Sequence, residues 1–237
     1  MNDRHALIDT IRAALVPIHW DGHKFIGAGI VITILLFLIW SPLGWIGLIL
    51  TGFVAFFFRD PARVIPMREG LIISPADGTV TSISMEAPQS EMGLPDQPHT
   101  RISIFLSVLD VHINRAPVSG EVIRTIRVPG LFLNAAIDKA SEDNEREIMV
   151  FRTPTGTHIG IVRIAGLIAR RIVTFVRDGQ NVDAGGRIGL IRFGSRVDVY
   201  IPTTNGIQVA EGQRVIGGET VLADMRSEQN RREVRLD

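Results

Sequence analysis

The 237-residue chain has no cysteine, which excludes disulfides, thiolate metal sites and a cysteine nucleophile. It also lacks net charge: Lys+Arg and Asp+Glu stand at 25 each. That balance argues against bulk nucleic-acid binding, which phosphate neutralisation drives. The six histidines are scattered and make no metal-ligand cluster; His99 and His158 match no motif, and His158 reads as solvated or structural. With 46% hydrophobic residues, the chain can still bury a substantial core.

Charge is locally absent too. From Phe25 to Phe58 there is no charged residue. The run begins late, is long and lacks a small-residue cleavage site, so a signal peptide does not fit. A single helix through it would be ~51 Å long, too long for a ~30 Å hydrocarbon core. Ser41-Pro42 with Gly44 breaks it into two halves of ~24 Å each. Residues 25–58 therefore read as a helical membrane hairpin, either thinly spanning or re-entrant. Arg4, Arg12 and Lys24 precede it and Arg59, Arg63 and Arg68 follow it, which predicts that both ends lie on the cytoplasmic side. Residues 1–24 read as an amphipathic segment with Leu7, Ile8, Ile11, Leu15 and Ile18 at helical spacing, ending in a turn at His19-Trp20-Asp21-Gly22.

After Arg59 the character changes to short β-rich runs between Gly, Pro, Asp and Asn turns. Strands are predicted over 71–74, 78–83, 101–106, 120–128, 148–152, 157–164, 187–192, 196–201 and 220–223, and helices near 134–140 and 167–173. Val209-x-Glu211-Gly212-Gln213-x-Val215-x-x-Gly218 matches the turn pattern of flattened biotinyl/lipoyl-type barrels. The tip Thr203-Thr204-Asn205-Gly206 lacks a carrier lysine. The predicted fold is a β-dominated α+β catalytic domain, 59–237, built on a flattened β-barrel or sheet with biotinyl/lipoyl-like features and preceded by the hairpin.

Three segments hold residues suited to chemistry: Ser74-Pro75-Ala76-Asp77-Gly78, Leu106 through Asp110-Val111-His112-Ile113-Asn114-Arg115 to Pro117, and Arg192-Phe193-Gly194-Ser195-Arg196-Val197-Asp198. Each is weak alone, since Asp before Gly is usually a turn former and Gly-Ser is a common dipeptide. Together, and with Arg59-Asp60-Pro61, Val128-Pro129-Gly130, Asn144-Glu145-Arg146, the 165–173 segment and Gly189-Leu190-Ile191 in order, they resemble the phosphatidylserine decarboxylase family, especially its short, membrane-hairpin branch.

The resemblance implies a self-processing proenzyme. Ser195 attacks the Gly194 carbonyl, the chain parts into 1–194 and 195–237, and Ser195 becomes a pyruvoyl group that condenses with the substrate amine. Gly194 suits the cleavage site because it adopts turns that other residues resist. Asp77 and His112 are implied to activate Ser195. His112 is also implied to assist decarboxylation or protonation; longer bacterial relatives carry a second histidine where Arg115 stands, so His112 covers both roles or Arg115 shares one. Arg115, Asn134, Arg170 and Arg171 are candidates for holding the phospholipid carboxylate or phosphate. The pyruvoyl ketone is the electron sink that decarboxylation needs, without metal or pyridoxal phosphate. For the latter, the two lysines, Lys24 and Lys139, are poorly suited. The expected partners are a membrane phospholipid, the two chains of one precursor and a second copy in a dimer, at the cell membrane. Two other readings stand beside this one: a non-catalytic, membrane-tethered binding module on the same barrel, and a serine hydrolase, for which no G-x-S-x-G elbow is present.

Overall fold

A computed structural model describes residues 16–131, 144–166, 171–192, 194–202 and 206–227. The chain divides into two compact units, Met1–Ala62 and Arg63–Asp237.

In the first unit, α1 (Trp20–Ile39) and α2 (Ser41–Phe57) form a hairpin. The break falls at Trp40, which is extended, and Pro42 lies in the first turn of α2, where its missing N–H costs nothing. The expected turn at 19–22 is instead the start of α1. His19 caps it, its Nδ1 accepting the Asp21 N–H at 3.3 Å, and Asp21 sits on the positive end of the helix dipole. This extra turn lengthens α1 to 20 residues, roughly 30 Å, long and apolar enough to cross a membrane. The helices meet at Thr33 and Thr51, whose hydroxyls lie 3.1 Å apart. Their outer faces leave Ile30–Leu35 and Trp45–Leu50 largely exposed, which apolar side chains tolerate in lipid rather than water. The open ends are tied by His19 N–H to the Phe58 carbonyl at 2.8 Å and Asp60 N–H to the Pro17 carbonyl at 2.7 Å.

The second unit is β-dominated. Its described strands are β1 (Leu71–Ile73), β2 (Gly78–Glu86), β3 (His99–Leu106), β4 (Ile113–Arg115), β5 (Gly120–Val128), β6 (Arg146–Arg152), β7 (His158–Ala165), β8 (Ile172–Thr174), β9 (Asn181–Val182), β10 (Arg187–Ile191), β11 (Ser195–Ile201), β12 (Arg214–Val215) and β13 (Val221–Asp224). An eight-stranded curled sheet runs β12-β2-β3-β11-β7-β6-β5-β9, and smaller sheets run β4-β10-β8 and β1-β13. The predicted helix at 167–173 is corrected over its described end: Ile172-Val173-Thr174 are strand, paired with Gly189–Ile191. Three successive β-branched residues favour that pairing over helix. The predicted helix at 134–140 lies outside the described residues.

The middle strand, β11, is buried on both faces. Ser195, Val197, Val199 and Ile201 share one face, and the last three join Leu106, Ala165, Ile172 and Ile191 in the main apolar core. On the other face, Arg196 donates to Asp198 at 2.6 Å and to the Ser103 hydroxyl at 2.7 Å, beside a second core around Met92 and Tyr200. A further buried ion pair, Arg163 with Glu147, bridges β7 and β6 and contacts the small sheet through Thr174 and the Val173 carbonyl. Gly189 lies directly under the Arg163 guanidinium, where no side chain fits. Burial pulls that guanidinium down to about 9, so it remains charged at neutral pH.

Candidate functional site

Ser195 opens β11 and pairs with Leu106 of β3 and Ala165 of β7. It follows β10 by a three-residue link, so the chain passes from the small sheet into the middle of the large one at this point. Gly194, which immediately precedes β11, takes a φ of +67°. A Cβ there would meet nothing closer than Val108 at 4.0 Å, so glycine is required by the left-handed backbone and not by space. Ser195 is fully buried, and its hydroxyl has no hydrogen-bond partner among the described residues. An orphaned hydroxyl costs about 1–3 kcal/mol, a cost that a reacting group can justify.

His112 immediately precedes β4. Its carbonyl accepts the Ile191 N–H, which fixes it beside the link. Gly194 N–H donates to His112 Nε2 at 3.2 Å. The Nε2 atom therefore carries the lone pair, and the ring proton sits on Nδ1, which donates to the Asp110 carbonyl at 2.9 Å. The result is a buried, neutral imidazole with its basic nitrogen against the peptide that precedes the Gly194–Ser195 bond.

Asp110 shapes this arrangement. Its carboxylate accepts the Ser107 N–H at 2.8 Å and Arg214 Nη2 at 2.6 Å, while its own N–H closes a turn on Ser107. Burial pushes its carboxyl upward, but Arg214 and Ser107 outweigh burial and hold it below the usual range.

Asp77 is gripped from two sides. Arg63 Nη2 donates to both of its oxygens, at 2.9 and 2.7 Å, and Gly217 N–H donates to it at 2.8 Å. Burial raises its carboxyl above the usual range despite these donors, and the neighbouring Asp110 charge adds to the rise. Asp77 thus stands within electrostatic reach of Asp110, while its hydrogen bonds go to Arg63 and Gly217.

The structure brings Gly194, Ser195 and His112 together. Arg115 is buried on the opposite face of β4, with Nη1 donating to the Gly185 carbonyl at 2.9 Å. Arg171 is exposed beside the link, its carbonyl accepting the Arg192 N–H. Asn134 and Arg170 lie outside the described residues. Sequence reasoning missed Arg63, Arg214 and Asn114. Asn114 shares the His112 face of β4 and is fully buried with both amide atoms unpartnered among the described residues. No local pattern marks any of the three, because each is defined by a partner or an environment supplied from elsewhere in the chain. Among the described residues, no group of three or more His, Asp and Glu side chains could hold a metal ion.

A buried serine hydroxyl with no partner among the described residues, after a left-handed glycine and with a neutral histidine at hand, has the features that nucleophilic acyl chemistry requires. The family model for phosphatidylserine decarboxylase matches residues 50–223. A phosphatidylserine decarboxylase proenzyme from Nitrobacter winogradskyi is 54% identical over 222 residues, covering 94% of this chain and 90% of the relative. The chain belongs to the phosphatidylserine decarboxylase family.

Proposed function

We propose that this chain is a proenzyme that cuts itself between Gly194 and Ser195 and then decarboxylates phosphatidylserine to phosphatidylethanolamine. The observation that carries the reading is the Gly194 N–H to His112 Nε2 bond beside the orphaned Ser195 hydroxyl. Exchange of that bond for one from Ser195 leaves Nε2 free to take the hydroxyl proton. The oxygen then attacks the Gly194 carbonyl carbon. The C–N bond breaks, the proton passes to the Ser195 nitrogen, and an ester joins Gly194 to the serine oxygen. Loss of the Ser195 α-proton expels the Gly194 carboxylate and leaves dehydroalanine, which takes up water and releases ammonia.

The residues at this position fit the resulting pyruvoyl group. Its ketone supplies an electron sink when it condenses with the substrate amine. The chain's part is to bury that position between two sheets, exclude water and hold the imidazole of His112 neutral and ready to move a proton. Asp77 acts from behind, through the field it shares with Asp110, and Arg63 sets its charge. Arg171, exposed beside the link, suits the lipid phosphate. The exchange of bonds between Val80 and the Gly212–Gln213 turn, with β12 laid on β2, supports the biotinyl/lipoyl-like reading of this corner. The basic residues Arg59, Arg63 and Arg68 after the hairpin support a catalytic unit on the cytoplasmic side of the membrane.

Intact mass spectrometry of the purified protein tests this directly. Two chains are expected, ending at 194 and beginning at 195, the second with a keto N-terminus that hydroxylamine modifies. Ser195→Ala should remain a single 26.1 kDa chain without decarboxylase activity. Two bands from that variant would end the proposal.

Arg63 offers a finer check. Arg63→Gln removes the strongest pull opposing burial at Asp77, so its carboxyl should rise further. The acid limb of self-cleavage, followed on gels against pH, should move upward by at least about one pH unit. Stability should follow the same sign. A raised carboxyl binds its proton more tightly when folded, so its contribution is present at low pH and fades as pH rises through the folded-state value. The variant should lose stability mainly towards neutral pH, and an unshifted cleavage profile would remove Asp77 from the mechanism.

A further inference from the structure

Six large apolar side chains are exposed among the described residues of the catalytic unit, and four of them lie on or beside elements at the Ser195 end of the large sheet. Leu109, 59% exposed, lies in the turn whose Val108 is the nearest neighbour of Gly194. Leu131, also 59% exposed, accepts the Glu145 N–H, and the Glu145 carbonyl accepts the N–H of Ala165, the strand partner of Ser195. Ile216, 42% exposed, precedes Gly217, which donates to Asp77. Val64, 84% exposed, follows Arg63, which donates to Asp77. Two exposed guanidinium groups join this rim. Arg171 flanks the 192–194 link, and Arg214 reaches over Asp110 with a side chain 65% exposed.

We infer that this rim is a docking face for a phospholipid membrane surface, so that the end of the sheet carrying the buried Ser195 faces the headgroup layer. The inference rests on the reading of the substrate as a phospholipid. Pulling two acyl chains out of a bilayer is prohibitive, so the site must meet the headgroup where the lipid lies. Singly exposed leucines are ordinary, but their concentration at one end of a sheet is not. The far end differs: Met85 is exposed there, opposite Thr100, at the other end of β3 from the Leu106–Ser195 pair and roughly 20 Å away. Arginines interleaved with leucines match the two layers of an interface, phosphate outside and hydrocarbon beneath. The chain also enters the catalytic unit at this end. Arg63, its first residue, comes six positions after the last residue of the apolar hairpin.

The absence of native cysteine makes the test clean. Single cysteines at 109, 131, 216 and 85 in the full-length protein would carry an environment-sensitive fluorophore. The protein would be placed in nanodiscs of phosphatidylcholine and phosphatidylglycerol. Labels at 109, 131 and 216 should shift to the blue and be quenched by brominated lipids, while the label at 85 stays open to aqueous iodide. Equal iodide quenching at all four positions overturns the inference. So does a blue shift that needs no lipid and grows with protein concentration, which assigns the face to a second copy. None of these readings requires a processed chain, so they stand apart from the fate of the self-cleavage proposal. A paired Leu109→Glu, Leu131→Glu variant gives a second readout. It should cleave itself as the parent does, yet need about tenfold more phosphatidylserine in the bilayer for half-maximal rate. An unchanged bilayer dependence overturns the inference.

Discussion

His112→Gln should slow self-cleavage by about 10²–10⁴-fold, the usual contribution of a positioned general base. Glutamine is chosen because its side-chain oxygen can still accept the Gly194 N–H that Nε2 now accepts at 3.2 Å. The link should therefore keep its shape while losing the lone pair that takes a proton. The measurement is the half-time of conversion of the full-length chain into two, with the melting temperature taken beside it. Slow conversion at an unchanged melting temperature assigns the loss to chemistry. Conversion at the parental rate would show that His112 only braces the link. In that case the proton would need another acceptor, and the buried amide of Asn114 on the same strand face cannot serve, since an amide is not a base.

The largest effect on stability is expected at Glu147. Arg163 is wholly buried, and its partners are Glu147, Thr174 and the Val173 carbonyl. Arg127, 3.8 Å from Glu147, adds a second positive charge to the cluster. Glu147→Gln leaves the shape but strands the Arg163 charge in the core. Breaking one side of a buried pair costs about 3–5 kcal/mol. For a unit of this size that is a fall in melting temperature of about 6–20 °C. Replacing both partners with leucine should recover most of the loss, because no charge then remains to be solvated. If the single variant melts like the parent, water reaches Arg163 and the site is wetter than its burial indicates.

Long strands and the hairpin were legible from the sequence. Gly120–Val128, rich in β-branched residues, forms as read, and Pro42 marks the start of the second helix. The three-residue strands β4 and β8 were not legible, because pairing with β10 rather than local sequence defines them. At 167–173 helix-favouring residues lead into Ile172-Val173-Thr174, and pairing with β10 decides the latter. The start of α1 was hidden by polar residues that serve as a cap and a first turn. At the candidate site, motif company pointed to Ser195, Gly194, His112 and Asp77, and the fold places the first three beside one another. Their supports could not be read this way. Arg63 lies 14 residues from Asp77, and Arg214 lies 104 residues from Asp110, distances over which no local pattern operates. Only the fold makes them neighbours.

The place of Ser195 at the head of the middle strand has a further consequence. The segment after the proposed cut contains β11, β12 and β13, which lie against β3 and β7, β2, and β1 respectively. With the proposed bond broken, the sheet would be completed by a separate polypeptide that was threaded into it while still attached. Assembly of the precursor would be first-order, whereas reassembly of the two proposed chains after denaturation would be second-order, and the second chain would begin with a keto group instead of a peptide. The mature enzyme should therefore melt without returning, and its lifetime at a given temperature, rather than an equilibrium constant, measures its durability.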